Sequence, residues 1–347
     1  MIRRMAVLGA GVMGSEIAQA AAAGGVEVVL LDSDPAALER GLAHVAAIGE
    51  RRVQRGRMSA EDAQAILARV TPTGDDAGLA ACDLAIEAVP EILDVKREVF
   101  RRLDAALPAG ALLASNTSGL SITALAAETR RPELVVGLHF FNPASVMKLV
   151  EVIRGETTSE ATMASAEEFA RALGKVPVRV RECPGFLVNR MLVRALVESY
   201  RRAAELGADL AAADRAVVDG GPAPMGPFAL GDLIGLDTLG HIQRDLEQAY
   251  GGRFDDGGEI GRRVDTDRLG KKSGAGFFDG DAPAVDADED GREVAARYYA
   301  SALDEARRCV EEEIAAPADV DAAMRHGCGW QAGPLESARS AETKPGG

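Results

Sequence analysis

The chain has 347 residues in 36.3 kDa, with 39 lysines and arginines against 54 aspartates and glutamates, a net charge of −15. That length suggests two domains, and a hydrophobic content of 47% is ordinary for a globular protein. The acidic balance argues against a nucleic-acid partner and against an anionic membrane surface, because no basic field is available to neutralise phosphates.

Residues 4–8 (RMAVL) read as a short buried strand, Gly9 to Gly14 as a glycine turn, and residues 15–24 as an alanine-rich helix. The early arginines and small residues of this stretch imitate a secretory signal. Ser15, Glu16 and Gln19 interrupt it at helical spacing, and no window is long and apolar enough to span a bilayer. A second apolar strand, 26–31, ends at Asp32, which completes a unit of the size of a βαβ crossover. Residues 36–69 read as two charged helices with a break near Gly56. Strands follow at 83–89, 111–114, 134–138 and 148–153, with a helix over about 91–106 between the first two. This alternation points to an α/β domain built on a doubly wound parallel sheet.

After Pro184 the pattern changes. Residues 187–206 form a long amphipathic helix and little beyond them reads as strand, so an all-α C-terminal domain is expected. The division is 1–183 for a Rossmann-like dinucleotide-binding domain, 184–278 for a helical domain, 279–291 for an acidic linker and 292–337 for a partial repeat of the helical domain. The linker holds six acidic residues without periodicity, and the last ten residues are small and polar, with no fixed structure expected. The repeat rests on an offset of 107 residues (214 to 321): Asp214, Gly226 and Pro227 match Asp321, Gly333 and Pro334, while Arg190 and Glu198 match Arg297 and Glu305. A chance match of scattered small residues is the competing explanation.

Four places carry chemistry. The first is the turn G-A-G-V-M-G, where Gly9, Gly11, Val12, Met13 and Gly14 sit between strand and helix. Its glycines permit the tight turn, the approach of a pyrophosphate and close helix packing. Asp32, 18 residues beyond Gly14, is placed to accept from ribose hydroxyls and to repel a 2′-phosphate, so NAD is preferred to NADP. Asp34 competes for that role, and an ordinary turn with a surface aspartate is the plainer alternative. The second place is His139, at the end of an apolar strand, with Glu151 inside the apolar strand KLVEVI. A buried carboxylate needs a partner, and pairing would orient the imidazole and stabilise its charged form. A core histidine and a solvated strand face are the separate alternatives. The third is S-N-T-S-G, Ser115 to Gly119, with Asn116 and Ser118 at the carboxyl end of a strand, where open α/β sheets bind ligands. Ser118 or Ser121 would serve equally as a helix cap. The fourth is Asn189, an amide inside GFLVNRML that is either ligand-facing or a structural hydrogen-bonder.

Taken together, GAGVMG, IEAVPE, ASNTSGLSIT, GLHFFNPASVMKLVEVI, CPGFLVNR, PMGPFALGDLIGLDT and GKKSGAGFF resemble the 3-hydroxyacyl-CoA dehydrogenase family, including bacterial 3-hydroxybutyryl-CoA dehydrogenases, over residues 4–278. The resemblance implies an NAD-dependent oxidoreductase that converts a 3-hydroxyacyl-CoA to the 3-oxoacyl-CoA. It implies His139 as catalytic base, Glu151 as its partner, Ser118 as a substrate hydroxyl and Asn189 as an amide from the helical domain, the two domains closing to complete the site. It also implies cofactor contacts at Glu91, Lys96, Asn142 and Lys272, and CoA contacts from the basic stretch ERRVQRGR, with Arg51, Arg52 and Arg55 as candidates. Gly119 stands where the family often has a second serine. Asn189 aligns with Ala296 in the repeat, so the second copy lacks the amide.

Three other activities compete: the same fold acting on a carrier-protein thioester or a sugar acid, a non-catalytic NAD-binding protein, and a 2-hydroxy-acid dehydrogenase with a catalytic lysine. The four cysteines, Cys82, Cys183, Cys309 and Cys328, show no C-x-x-C spacing, so no metal site is expected and the thiols read as reduced and cytoplasmic. The expected assembly is a homodimer through the helical domain or an intrachain pseudo-dimer built by the repeat.

Overall fold

The computed structural model describes residues 2–342, and its chain contacts divide into two units between Glu182 and Cys183. The N-terminal unit runs β1 (Arg4–Leu8), α1 (Val12–Ala23), β2 (Glu27–Leu31), α2 (Pro35–Gln54), α3 (Ala60–Ala68), β3 (Val70–Thr73), β4 (Leu84–Glu87), α4 (Leu93–Ala106), β5 (Leu112–Ser115), α5 (Ile122–Ala126), β6 (Val135–Phe140), β7 (Leu149–Arg154), α6 (Glu160–Ala172) and β8 (Val176–Arg181). Apolar runs such as Met5–Leu8 and Leu84–Ile86 are buried on both faces, as strands of a helix-covered parallel sheet must be.

The strands form one sheet in the order β3-β2-β1-β4-β5-β6-β7-β8. All neighbours are parallel except β6 and β7, which are antiparallel. The expected doubly wound parallel sheet is thus present, with one antiparallel pair inside it. The segment from Phe141 to Lys148 is too short to hold the helical crossover that a parallel return needs, so the chain doubles back. Strands β3 and β8 stand beyond the sequence-based assignment; Pro72 and the charged residues of β8 hide their alternation. The order changes direction between β1 and β4, and this switch point is where such sheets bind ligands.

The C-terminal unit contains no named strand among the described residues. It runs α7 (Val188–Leu206), α8 (Leu210–Gly220), α9 (Pro227–Ile234), α10 (Leu236–Tyr250), α11 (Glu259–Val264), α12 (Glu289–Glu311), α13 (Pro317–Gly327) and α14 (Pro334–Glu342). The linker is shorter than expected, because α12 begins at Glu289. Asp288 caps it by accepting from Gly291 N, and Glu289 and Asp290 complement the positive helix end, so part of the acidic run is a helix start. Residues 338–342 lie in α14, and the remainder of the expected unstructured tail, 343–347, lies outside the described residues.

Helices α12, α13 and α14 repeat α7, α8 and α9 in detail. Asp214 accepts from Phe228 N and Ala229 N at 2.9 and 2.8 Å, and Asp321 accepts from Leu335 N and Glu336 N at 2.8 and 3.2 Å. Each aspartate ties the second helix of its copy to the start of the third. A Cβ on Gly226 would lie 2.3 Å from the Asp214 side chain, and one on Gly333 2.2 Å from that of Asp321, which explains both glycines. Helices α7 and α12 pack along each other. Arg190 of the first copy donates to Glu305 of the second at 2.6 Å, and Arg297 of the second donates to Glu198 of the first at 2.8 Å. This reciprocity is the signature of a two-fold interface, here inside one chain.

No helix among the described residues is long and apolar enough to cross a membrane. No cluster of His, Cys, Asp and Glu among them is arranged to hold a metal ion.

Candidate active site

The carboxyl ends of the parallel strands line up in one row. Leu31 pairs with Leu8, Leu8 with Glu87, Glu87 with Ser115, and Ser115 with Gly137. His139 lies two residues beyond that row on β6. The glycine turn, the ends of β4 and β5 and the imidazole therefore share one edge of the sheet.

At the turn, Gly9 adopts φ +99°, a conformation that favours glycine. A Cβ on Gly14 would lie 1.8 Å from Gly9 O, so only glycine lets α1 approach this closely. A Cβ on Gly11 would meet nothing within 4 Å, so that glycine faces open space. Helix α1 has no side-chain cap at its start, which leaves its first N–H groups directed outward as an anion site. Val12, on the rim of the turn, is 61% exposed, and Met13 packs against the core. Asp32 closes the turn, accepting from Ala10 N at 2.8 Å and from Asp34 N at 3.0 Å. Asp34 instead caps α2 through Ala36 N, which separates the two competing carboxylates. This cradle, open where a pyrophosphate would lie and flanked by a carboxylate, fits NAD.

His139 and Glu151 are register partners in the antiparallel pair, so their side chains leave the same face of the sheet. His139 Nδ1 lies 2.6 Å from Glu151 Oε2, with the carboxylate fully buried and the imidazole nearly so. The Phe141 ring packs against the imidazole at 4.5 Å between centroids. Asn116 Oδ1 accepts from Phe140 N at 2.8 Å, tying the end of β5 to the residue after His139.

A second buried network lies at the end of β4. Lys96 Nζ, 1% exposed, donates to Glu87 Oε1 at 2.5 Å and Val89 O at 3.2 Å and pairs with Glu91 Oε2 at 3.1 Å. Ser115 Oγ donates to Glu87 Oε2 at 2.6 Å. Glu91 Oε1 accepts from the Thr117 hydroxyl, from Ser118 N at 2.9 Å and from Ser118 Oγ at 3.3 Å. Burial pushes the Glu91 carboxyl up, but the Lys96 ammonium and these hydrogen bonds outweigh it and hold the group below the usual carboxylate range. The capping task that competed for Ser118 is met by Ser121, which accepts from Ala124 N at the start of α5. Sequence reasoning missed Glu87, to which Ser115 donates; the signal was the one used for Glu151, a carboxylate inside an apolar strand.

Arg51 and Arg55 line a cavity of about 340 Å³ together with Arg52 and Arg57. Ile48, Pro143 and Val146 supply its apolar wall. Among the described residues, none of the four arginines pairs with a carboxylate. Glu16 also lines the cavity, accepting from Ser145 N at 2.8 Å and lying 3.0 Å from His44 Nε2. Burial pushes the Glu16 carboxyl up, and the hydrogen bonds from Ser145 and His44 outweigh it, so the group stays ionised. Asn142 is exposed beside this cavity, next to Pro143. Asn189 and Lys272 belong to the C-terminal unit. Asn189 lies in the first turn of α7, and Lys272 pairs with Asp237.

An imidazole backed by a buried carboxylate, on the sheet edge that also carries a dinucleotide cradle, is the equipment of a nicotinamide-dependent dehydrogenase. The chain belongs to the 3-hydroxyacyl-CoA dehydrogenase family. The model of that family's NAD-binding domain matches residues 4–183, and the model of its C-terminal domain matches two segments, 185–280 and 294–343. The fatty acid oxidation complex subunit alpha of Idiomarina loihiensis is 36% identical over 351 residues, which cover 95% of this chain and 49% of that protein. The chain therefore spans about half the length of that relative. A 3-hydroxybutyryl-CoA dehydrogenase from Escherichia coli K12 superimposes with a TM-score of 0.91 at 32% identity, over 99% of this chain and 92% of that one. An (S)-3-hydroxybutyryl-CoA dehydrogenase from Ralstonia eutropha superimposes with a TM-score of 0.78 at 37% identity, over 81% of this chain and 100% of that one.

Proposed function

We propose that the chain interconverts a 3-hydroxyacyl-CoA and the corresponding 3-oxoacyl-CoA, as an NAD-dependent dehydrogenase of fatty-acid or short-chain acyl-CoA metabolism. The observation that carries this reading is the His139–Glu151 pair, 2.6 Å apart at the edge of the sheet that also holds the glycine turn. Bound NAD supplies the hydride acceptor. With Nδ1–H donating to Glu151, the imidazole presents the lone pair of Nε2, and this nitrogen takes the proton of the 3-hydroxyl as C3 is oxidised. Glu151 then stabilises the imidazolium and prevents the ring from rotating. Ser118 and Asn189 hold the substrate oxygens, Ser118 being oriented by Glu91. In the reductive direction the same nitrogen returns the proton to the carbonyl oxygen.

The cofactor contacts are Gly9, Gly11, Val12, Met13 and Gly14 along the pyrophosphate and Asp32 on the ribose, with Glu91, Asn116, Asn142 and Lys272 around the nicotinamide half and Lys96 acting from behind Glu91. The Lys96 ammonium is already surrounded by three protein oxygens, so its part is to fix Glu91 and the end of β4. Arg51 and Arg55, with Arg52 and Arg57, take the phosphates of CoA. In a chain of net charge −15, four unpaired arginines around one cavity are a polyanion site. A cavity suits a small polyanion better than the surface of a carrier protein, which favours CoA over a carrier-protein thioester. All four cysteines are free thiols, in keeping with a reducing, cytoplasmic setting.

The test is His139→Gln, assayed with NADH and 3-oxoacyl-CoAs of increasing chain length, beside a carrier-protein thioester. The expected result is NADH binding as in the parent and a loss of kcat on the order of 10²–10⁴-fold. Turnover close to that of the parent would refute the base assignment, and a preference for the carrier-protein thioester would refute the CoA assignment.

A further inference from the structure

The most enclosed ion pair of the C-terminal unit joins its two copies. Arg190 and Glu305 have side chains that are both 0% exposed, 2.6 Å apart. Glu312, just past the end of α12, grips the same guanidinium through both oxygens, at 2.8 Å to Nη1 and 2.9 Å to Nη2. The Tyr250 ring lies under the guanidinium at 4.4 Å, and its hydroxyl donates to Pro184 O at 3.1 Å. Arg190 is therefore clamped by two carboxylates and an aromatic face. Replacing a buried ion pair by apolar side chains is often neutral or stabilising, so the clamp is weak evidence for a stabilising role and calls for a positional one.

What it positions is the first turn of α7. Leu187, at its N-cap position, supplies no side-chain cap. It follows Phe186, a bulky buried residue at φ +51°, in the left-handed region that such residues avoid. Asn189 is the residue immediately before Arg190.

The internal two-fold supplies a control. In the second copy the equivalent arginine, Arg297, meets Glu198 alone and its side chain is 52% exposed. The counterpart of Glu312 is Glu205, which pairs with Arg202 and Arg201 instead. The residue before Arg297 is Ala296, which has no amide to place. The clamp is complete only in the copy where an amide stands beside it.

We propose that Glu305 and Glu312, both supplied by the truncated repeat, are positioning residues for Asn189, acting through Arg190. This rests on the reading of Asn189 as the substrate-holding amide. The repeat then serves the reaction of the first copy as well as covering its helices.

The experiment is a double-mutant cycle on the full chain with Glu312→Gln and Asn189→Ala, reading kcat and KM for a 3-oxoacyl-CoA, the Kd of NADH by fluorescence, and Tm. Glu312 is half-exposed, so its variant keeps the buried Arg190–Glu305 contact and the fold. Glu312→Gln is expected to lower kcat about 10-fold, short of the ~10²-fold that a full ångström of misplacement can cost, with NADH affinity unchanged. In the Asn189→Ala background the same change should shift kcat less than about 2-fold, because its target is gone. Glu312→Asp should recover part of the loss. Glu293→Gln, which breaks the exposed pair with Arg202 across the same two helices, should leave kcat as it was. If Glu312→Gln leaves kcat intact, or costs as much with Asn189 absent as present, the positioning role is overturned while the Asn189 reading stands. If Asn189→Ala alone leaves kcat intact, the amide reading falls and the proposal with it.

Discussion

His139 and Glu151 stand directly opposite each other across the only antiparallel strand pair among the described residues, and their side chains meet at 2.6 Å. In a parallel arrangement the two would not be register partners at this separation along the chain. The reversal between β6 and β7 is therefore what brings two residues of apolar strands together as a hydrogen-bonded imidazole–carboxylate pair. Glu151 is wholly buried, where a carboxylate without polar partners is costly.

Glu151→Gln separates orientation from charge. Glutamine keeps the volume and one acceptor but cannot stabilise an imidazolium electrostatically, and its NH₂ end is able to select the wrong tautomer. The expected outcome is a loss of kcat on the order of 10²–10⁴-fold, comparable to that of His139→Gln, with KM for NADH unchanged. Steady-state kinetics checks this, and a double variant no worse than either single one would confirm that the pair acts as a unit.

The arginine cavity predicts a split between substrates. Arg51→Ala with Arg55→Ala should raise KM for a CoA thioester about 10-fold or more, leaving kcat nearly constant, since phosphate contacts bind ground and transition states alike. The same variant should treat an N-acetylcysteamine thioester, which has no phosphates, as the parent does. Raising ionic strength should weaken CoA-thioester binding to the parent more than to the variant. Equal losses on both thioesters would place the arginines outside the phosphate site.

The sequence made the dinucleotide half legible because its physics is local: a turn that only glycine can make, followed at fixed spacing by Asp32. It also exposed Glu151, since a carboxylate in KLVEVI demands a partner, although it could not show that the strands run opposite ways. The network that joins Glu87 to Lys96 and Ser115 stayed hidden, because three residues from three elements meet only after β4 and β5 pair. The linker was read too long for a related reason. Acidic residues serve a solvated segment and a helix start equally, and only the Asp288 cap distinguishes them.

Asp214 gives stability a pH dependence with a definite sign. Burial pushes its carboxyl up to about 7, against the hydrogen bonds from Phe228 N and Ala229 N. An unfolded aspartate titrates near ~3.9. Between about pH 4 and 7 the folded chain thus holds a proton that the unfolded chain has released, so this contribution is complete below pH 4 and is lost as pH rises through 7. Its ceiling is about 4 kcal/mol. Asp214→Asn should flatten that part of the curve, so that the difference in urea midpoint between parent and variant narrows from pH 4 to pH 8. A constant difference across the range would exclude the titration.

The internal two-fold predicts an effect on assembly. Along α7, Val193, Leu196, Val197 and Tyr200 are buried at 2% exposure or less, and Val294, Tyr298, Ala302 and Ala306 are fully buried along α12. The contact between these helices is reciprocal, as Arg190–Glu305 and Arg297–Glu198 show. A chain that has already satisfied such a face has no need of a second copy there. A variant ending at residue 282 loses α12 to α14 and uncovers the apolar side of α7, which is self-complementary by the same symmetry. Light scattering should then find the full chain without self-association through this face, and the shortened one at about twice its own monomer mass or aggregated. If shortening leaves the number of chains per particle unchanged, the repeat does not cap a dimerisation surface, and the two-fold is a record of duplication with no bearing on assembly.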